Sequence, residues 1–388
     1  MEFLNVKKNV LGITCLVIIV AILLAGLWPF NFYPENKVMW LKDRNGIQFY
    51  GQGIIFSELP KPNTLHPFSL DIPFSIEILI QPDSESHPYL PRILSLIHSN
   101  NKSEDFFVGQ WRSYLILRSK GLDPKGKWIH KEVGLKNALS KDQKRYIAIT
   151  SDEKGTYIYV NGKMEKSYPN PMFIPENRAI PYQIILGNSP TGKDYWTGNL
   201  FGMGIYEPAL SSDKILQHFQ YWTKGEQHCA STKESMLAHY TFAERGGKWI
   251  QDQATQNNLL IPSRFEVLQK TILVPPWKDF RLNRSYLVDI LINILGFIPF
   301  GFCFSAYLWQ KKRLSIYRIL LFSILLAGII SLSIELIQVY LPTRDSQLMD
   351  IITNKVGAGL GAVLFRFYHH KKQCNSPNFP SFHSSIFP

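Results

Sequence analysis

The chain has 388 residues, a formal net charge of +12 and 45% hydrophobic residues, which is room for two domains of ordinary size. The basic residues bunch beside apolar runs, a distribution that solubility alone does not explain, and no nucleic-acid partner is expected. Cys15, Cys229, Cys303 and Cys374 lie in unlike surroundings and lack metal-ligand spacing, so neither a disulfide framework nor a metal site is expected, and no cofactor is implied.

The first apolar run, Val10 to Leu27, is long enough to cross a bilayer and follows Lys7 and Lys8. A signal peptide shares those features. Here Trp28, Pro29 and Phe30 follow instead of an A-x-A-type cleavage site, so residues 1–30 are expected to form a retained transmembrane helix.

Residues 36–266 are rich in strand signals. FSIEILIQP, RILSLIHS, SYLILRS, RYIAITSD, TYIYVNGKMEKSY, YQIILGNS and LFGMGIYEPAL are short β-branched and aromatic runs between turn residues, which predicts an antiparallel β-sandwich. Asn161-Gly162 predicts a tight type I′ hairpin, because both residues accept positive φ. Glu77 stands alone among apolar neighbours and Asp152-Glu153 reads as a turn. Without carboxylates at alternate strand positions, glycoside hydrolysis is not expected. Trp111, Asp194, Tyr195 and Trp196 are candidates for contacting a glycan, with core packing as the competing role for each tryptophan.

The order of these motifs resembles a laminin-G or concanavalin A-like lectin/glucanase domain, which implies a jelly-roll sandwich. The pattern is an opening strand, a Tyr-Val-Asn-Gly hairpin, a Leu-Gly-Asn strand, a Trp-x-Gly strand and an Ala-Leu-Ser helix start. HYTFAERGGKWIQDQATQNNLLIP also resembles a terminal piece of such domains, although it follows the Ala-Leu-Ser turn.

Residues 281–370 hold three further apolar segments, and with the first they predict a four-helix transmembrane bundle. Asp289, Asn293, Glu335, Gln338, Asp350 and Asn354 lie in or beside these segments, with Arg344 between two of them. A charged residue at mid-membrane costs roughly 2.5–3.5 kcal/mol on insertion scales, so such a cluster requires partners or a function. DILINILG and DIITNKVG share Asp, Ile, Asn and Gly at equal offsets, a weak parallel repeat. Asp and Asn four apart share a helix face, and Gly296, Gly301, Gly357, Gly359 and Gly361 offer thin surfaces for close helix approach. Arg344 is expected to pair with Asp289, Glu335 or Asp350. The last segment is the weakest crossing, and a tilted or re-entrant helix is an alternative there.

Three short basic segments set the orientation: Lys7 and Lys8; Lys311, Lys312, Arg313 and Arg318; His369, His370, Lys371 and Lys372. If these are cytoplasmic, both termini are inside, residues 371–388 form a cytoplasmic tail, and residues 36–266 and LPTRDSQLM face outward.

Trp28-Pro29-Phe30, Asp289-x3-Asn293 with Phe297-Ile298-Pro299-Phe300-Gly301, Glu335-x2-Gln338, Arg344 and Asp350-x3-Asn354-x2-Gly357 together resemble the VanZ-like family. That family is named for a glycopeptide (teicoplanin) resistance protein, which implies a cell-membrane envelope protein but defines no reaction. The leading expectation is a non-enzymatic protein. Its outer domain binds a glycan or surface protein, and its bundle binds a membrane lipid or lipid-linked envelope component through the polar cluster. The alternative is an intramembrane enzyme with Glu335 and Asp350 as acid and base. A structural ion-pair network fixing helix register competes with both. A transporter needs polar groups at more than one depth, and these residues occupy one.

Overall fold

The computed structural model of the protein describes residues 8–59, 73–87, 89–99, 102–122, 128–169, 182–224, 236–279, 284–310 and 314–374. The chain divides into two compact units: Tyr33–Lys270, and Met1–Phe32 together with Thr271–Pro388.

The first unit is a sandwich of two antiparallel sheets. One runs β1 (Val38–Trp40), β2 (Ile47–Phe49), β13 (Gly198–Tyr206), β4 (Phe74–Pro82), β9 (Arg145–Asp152), β10 (Gly155–Val160), β11 (Lys163–Tyr168), with β14 (Met236–Tyr240) also on β13. The other runs β15 (Trp249–Ile250), β16 (Leu259–Leu260), β3 (Ile55–Ser57), β12 (Tyr182–Leu186), β5 (Arg92–His98), β6 (Glu104–Trp111), β7 (Tyr114–Leu122), β8 (Trp128–Leu135). Alternate residues of each strand point inward, so Ile76, Ile78 and Ile80 of β4 meet Leu94, Leu96 and Leu117 in the main core. Asn161 and Gly162 hold φ of 50° and 79°, the geometry that the β10–β11 hairpin requires.

The other face of β4 is also buried. Helix α2 (Ser212–Lys224) packs over Leu79, Tyr146, Ala148 and Phe201, and Ile215 seals that second cluster. The amphipathic spacing of SDKILQHFQYWTK accounts for this, and the Ser211 hydroxyl accepts a bond from Lys214 N at the helix start. The stretch resembling a terminal piece has a definite place: β14 extends one sheet and the β15–β16 hairpin extends the other. Residues after the Ala-Leu-Ser turn thus complete both layers.

Among the described residues, the second unit holds four long apolar helices: α1 (Lys8–Leu27), α4 (Arg284–Trp309), α5 (Ile316–Gln338) and α6 (Leu348–Cys374), with α3 (Pro276–Asp279) a single turn before α4. All four are long and apolar enough to cross a membrane. The last is one continuous helix rather than a re-entrant pair, because Asp350, Asn354 and Lys355 occupy its first turns without interrupting backbone pairing. Helices α4 and α6 run parallel. An added Cβ at Gly357 would lie 2.2 Å from Ile294 O, and one at Gly361 would lie 2.1 Å from Ile298 O. One at Gly301 would lie 2.0 Å from Ala358 O. Three of the five glycines noted in the sequence therefore form the contact. Gly296 faces open space, and Gly359 lies toward Ile324 of α5. Hydroxyls of Ser305 and Ser323 bond at 3.0 Å between α4 and α5, a polar link inside the bundle.

Candidate functional site: a polar cleft in the helical unit

Parallel packing of α4 and α6 brings the two Asp-x3-Asn motifs to the same end of the bundle. The end of α1, the end of α5 and the α5–α6 connection meet them there. The result is a cleft of about 530 Å³, and Asp289, Asn293, Glu335, Gln338, Arg344, Asp350 and Asn354 all line it. Ile22, Ala25, Gly26, Ile292, Phe297 and Ile334 supply apolar wall.

Each polar group is held by local structure. Glu335 is buried one turn before the end of α5, and its Oε2 accepts Gln347 N–H at 2.7 Å. The Asp350 carboxyl faces it. The Gln338 amide donates through Nε2 to Gly26 O at 2.8 Å, tying α5 to α1. Asn354 donates through Nδ2 to Ser331 Oγ at 2.8 Å, tying α6 to α5. The connection is pinned from outside the bundle, since Leu273 N donates to Ser346 Oγ and Leu348 N to Val274 O. Asp289 is exposed on the cleft wall.

Arg344 departs from expectation. Its Nε and Nη2 donate to Trp28 O at 3.1 and 3.0 Å, and it forms no ion pair with Asp289, Glu335 or Asp350. The connection turns tightly, with Arg344 N bonded to Leu341 O, so the exposed side chain reaches the end of α1 instead of the helix interior. The Gly26 and Trp28 carbonyls are not legible as partners in the sequence, because backbone acceptors leave no side-chain signal. Ser331, three residues before Ile334, is likewise silent there, being an ordinary small residue on a helix.

In the sandwich, Trp196 is fully buried, 6.0 Å from the Phe49 ring, and donates to Gln110 Oε1 at 2.7 Å. Its face is unavailable to a glycan, which corrects that assignment: the Trp-x-Gly strand points this ring inward. Trp111 is 48% exposed at the β6–β7 turn, beside Tyr114 and the Arg112 guanidinium. Tyr195 is half-buried with its ring 5.3 Å from Tyr89, and Asp194 engages Asn188 and Arg92 through its backbone.

Glu77 is not an isolated acid. Fully buried under α2, it accepts from Tyr146 Oη at 2.6 Å and Trp222 Nε1 at 3.1 Å, and lies 2.8 Å from His218 Nδ1. His218 and Trp222, four apart on an amphipathic helix, are the signal the sequence offers for it. Next to this network, burial holds the His239 imidazole below its usual pKa. The unfolded chain therefore takes up a proton near pH 6.5 that the folded chain resists, so His239 contributes stability above that pH that fades as pH falls. Thermal melts from pH 8 to pH 5 are expected to show this loss, and His239→Gln to flatten it.

Comparison with known proteins agrees with both units. Residues 235–369 match the VanZ/LLP1 family, and residues 63–216 match the concanavalin A-like lectin/glucanases superfamily. The helical segment is VanZ-like. The chain is thus a membrane protein that joins a VanZ-like segment to a concanavalin A-like domain. The VanZ match begins at the β14 edge of the sandwich and omits α1, which the structure nevertheless packs against α4 and α5. No curated protein matches the sequence. Among solved structures, a Ruminococcus gnavus sialidase CBM40 bound to alpha2,3 sialyllactose is 14% identical with a TM-score of 0.35, over 47% of this chain and 96% of that one. A putative carbohydrate binding protein from Bacteroides ovatus is 15% identical with a TM-score of 0.37, over 58% of each chain. The receptor binding domain of botulinum neurotoxin type G is 15% identical with a TM-score of 0.30, over 47% of this chain and 41% of that one.

Proposed function

We propose that the VanZ-like bundle is a binding site for the head group of a membrane lipid or lipid-linked envelope component. It opens at the outer leaflet, and the concanavalin A-like domain contacts a glycan or surface protein outside. One observation carries the reading: a single cleft at the end of the bundle joins polar and apolar lining. Asp289, Glu335, Gln338, Arg344 and Asp350 share it with Ile22, Ile292, Phe297 and Ile334. A head group and the start of its lipid chain would meet both kinds of wall. The exposed Trp111, with Tyr195 and Asp194, is the proposed glycan contact, supported by the lectin/glucanase superfamily match. The role in the cell follows from the envelope setting, with glycopeptide (teicoplanin) resistance as the trait to assay.

A second reading rests on the Asp350 carboxyl facing Glu335: an intramembrane enzyme acting on a lipid-linked substrate, with this pair as acid and base. Glu335→Gln protein that keeps its lipid but loses a lipid-modifying activity would favour it.

Orientation is the first test. The proposal places both termini in the cytoplasm and the cleft outside. Single cysteines replacing the exposed Lys163 and Thr343 in a cysteine-free chain are expected to react with an impermeant thiol reagent on intact cells, and one replacing Ser315 is not. Labelling at Ser315 alone would reverse the arrangement.

A further inference from the structure

We propose that the cleft selects a head group carrying a primary ammonium, with the adjoining phosphate at Arg344. This rests on the lipid-binding reading and adds the chemistry of the ligand. It starts from the two amides. Gln338 is 7% exposed, and its Nε2 donates to a carbonyl, Gly26 O, which can only accept. The amide orientation is thereby fixed, and Gln338 Oε1 is left with no partner. Asn354, 6% exposed, shares one bond with Ser331 Oγ, a hydroxyl that both donates and accepts, so one end of its amide is left without a partner. Buried acceptors without donors are uncommon and unfavourable. Both residues line the same cleft as three carboxylates, Asp289, Glu335 and Asp350.

The wall therefore calls for N–H donors on a positive ligand. A metal ion is the poorer fit, because among the described residues no three His, Cys, Asp or Glu side chains are grouped to hold one. A primary ammonium brings three donors in a compact charge. A quaternary ammonium brings charge but no donor, and a glycerol head group brings donors but no charge. Arg344 supplies the complementary end. Two of its N–H groups serve Trp28 O and the others remain at the cleft mouth, where a phosphate would accept them. The apolar part of the lining, which includes Ile22, Ile292, Phe297 and Ile334, makes a lipid, rather than a free amine, the committed source.

The test uses the full chain in phosphatidylcholine nanodiscs doped with equal phosphatidylethanolamine and phosphatidylglycerol. The protein is extracted in mild detergent and its retained lipid is quantified by mass spectrometry. Enrichment of phosphatidylethanolamine over both others by about tenfold is expected. Asp289→Asn, a change at an exposed position, is expected to reduce that enrichment severalfold with the protein still folded. Equal or greater retention of phosphatidylglycerol would overturn the ammonium selection and leave a lipid site standing. Retention of no lipid class would overturn both. Displacement by free ethanolamine phosphate at matching concentration would support the ammonium chemistry and overturn the lipid source.

Discussion

Gly301→Ala, Gly357→Ala and Gly361→Ala are each expected to unfold or markedly loosen the helical unit, whereas Gly296→Ala leaves it intact. The added methyl in the first three would sit 2.0–2.2 Å from a backbone carbonyl oxygen of the facing helix, and backbone cannot rotate away as a side chain can. Helices α4 and α6 would have to separate. That loses van der Waals contact along the whole seam, which drives helix association in lipid where no hydrophobic effect operates between helices. Overpacking costs about 1–3 kcal/mol where side chains yield, and the upper end applies here. At Gly296 an added methyl would meet no atom within 4 Å, so this position serves as the control. Melting temperature in a single detergent reports the difference, and equal melting of all four variants would refute the parallel seam. Because that seam brings Asp289 and Asn293 beside Asp350 and Asn354, the same variants are expected to lose the cleft.

Glu77→Ala is expected to destabilise the sandwich by about 3 kcal/mol or more, since each buried donor that loses its acceptor costs about 1–3 kcal/mol. The change leaves the Tyr146 hydroxyl, the Trp222 indole N–H and the His218 imidazole without their shared acceptor beneath α2. Glu77→Gln retains an acceptor oxygen and is expected to cost less. Residues 33–270 expressed alone are expected to be soluble and β-rich by circular dichroism, and denaturant unfolding of that domain measures both variants. A loss below about 0.5 kcal/mol for Glu77→Ala would mean that the network does not fasten α2 to the sheet.

Both halves of the protein are legible in the sequence to the extent that side-chain periodicity encodes them. Alternation in FSIEILIQP and RYIAITSD marks β4 and β9, and Asn161-Gly162 marks the turn between β10 and β11. EDFFVGQW and WIHKEVGL form β6 and β8 without a comparable signal, since charged and glycine positions interrupt their apolar runs. Seven polar residues in or beside apolar helices point to one place because water-seeking groups in lipid must meet. What joins them is hidden. The partners of Gln338 and Arg344 are backbone carbonyls at the end of α1, 312 and 316 positions away, and no spacing rule connects them. The same limit explains Trp196: strand order decides which way a tryptophan faces, and the local motif does not.

The proposed site holds one lipid head group in this cleft. Native mass spectrometry of the detergent-extracted protein tests it through Ile292→Trp, which fills the cleft from an exposed wall position, and Leu321→Trp, another exposed position, on α5 outside the cleft lining. One lipid is expected to be retained by the parent and by Leu321→Trp under activation that strips all others, and none by Ile292→Trp. Equal retention by the two tryptophan variants, or no retained lipid in the parent, would contradict it.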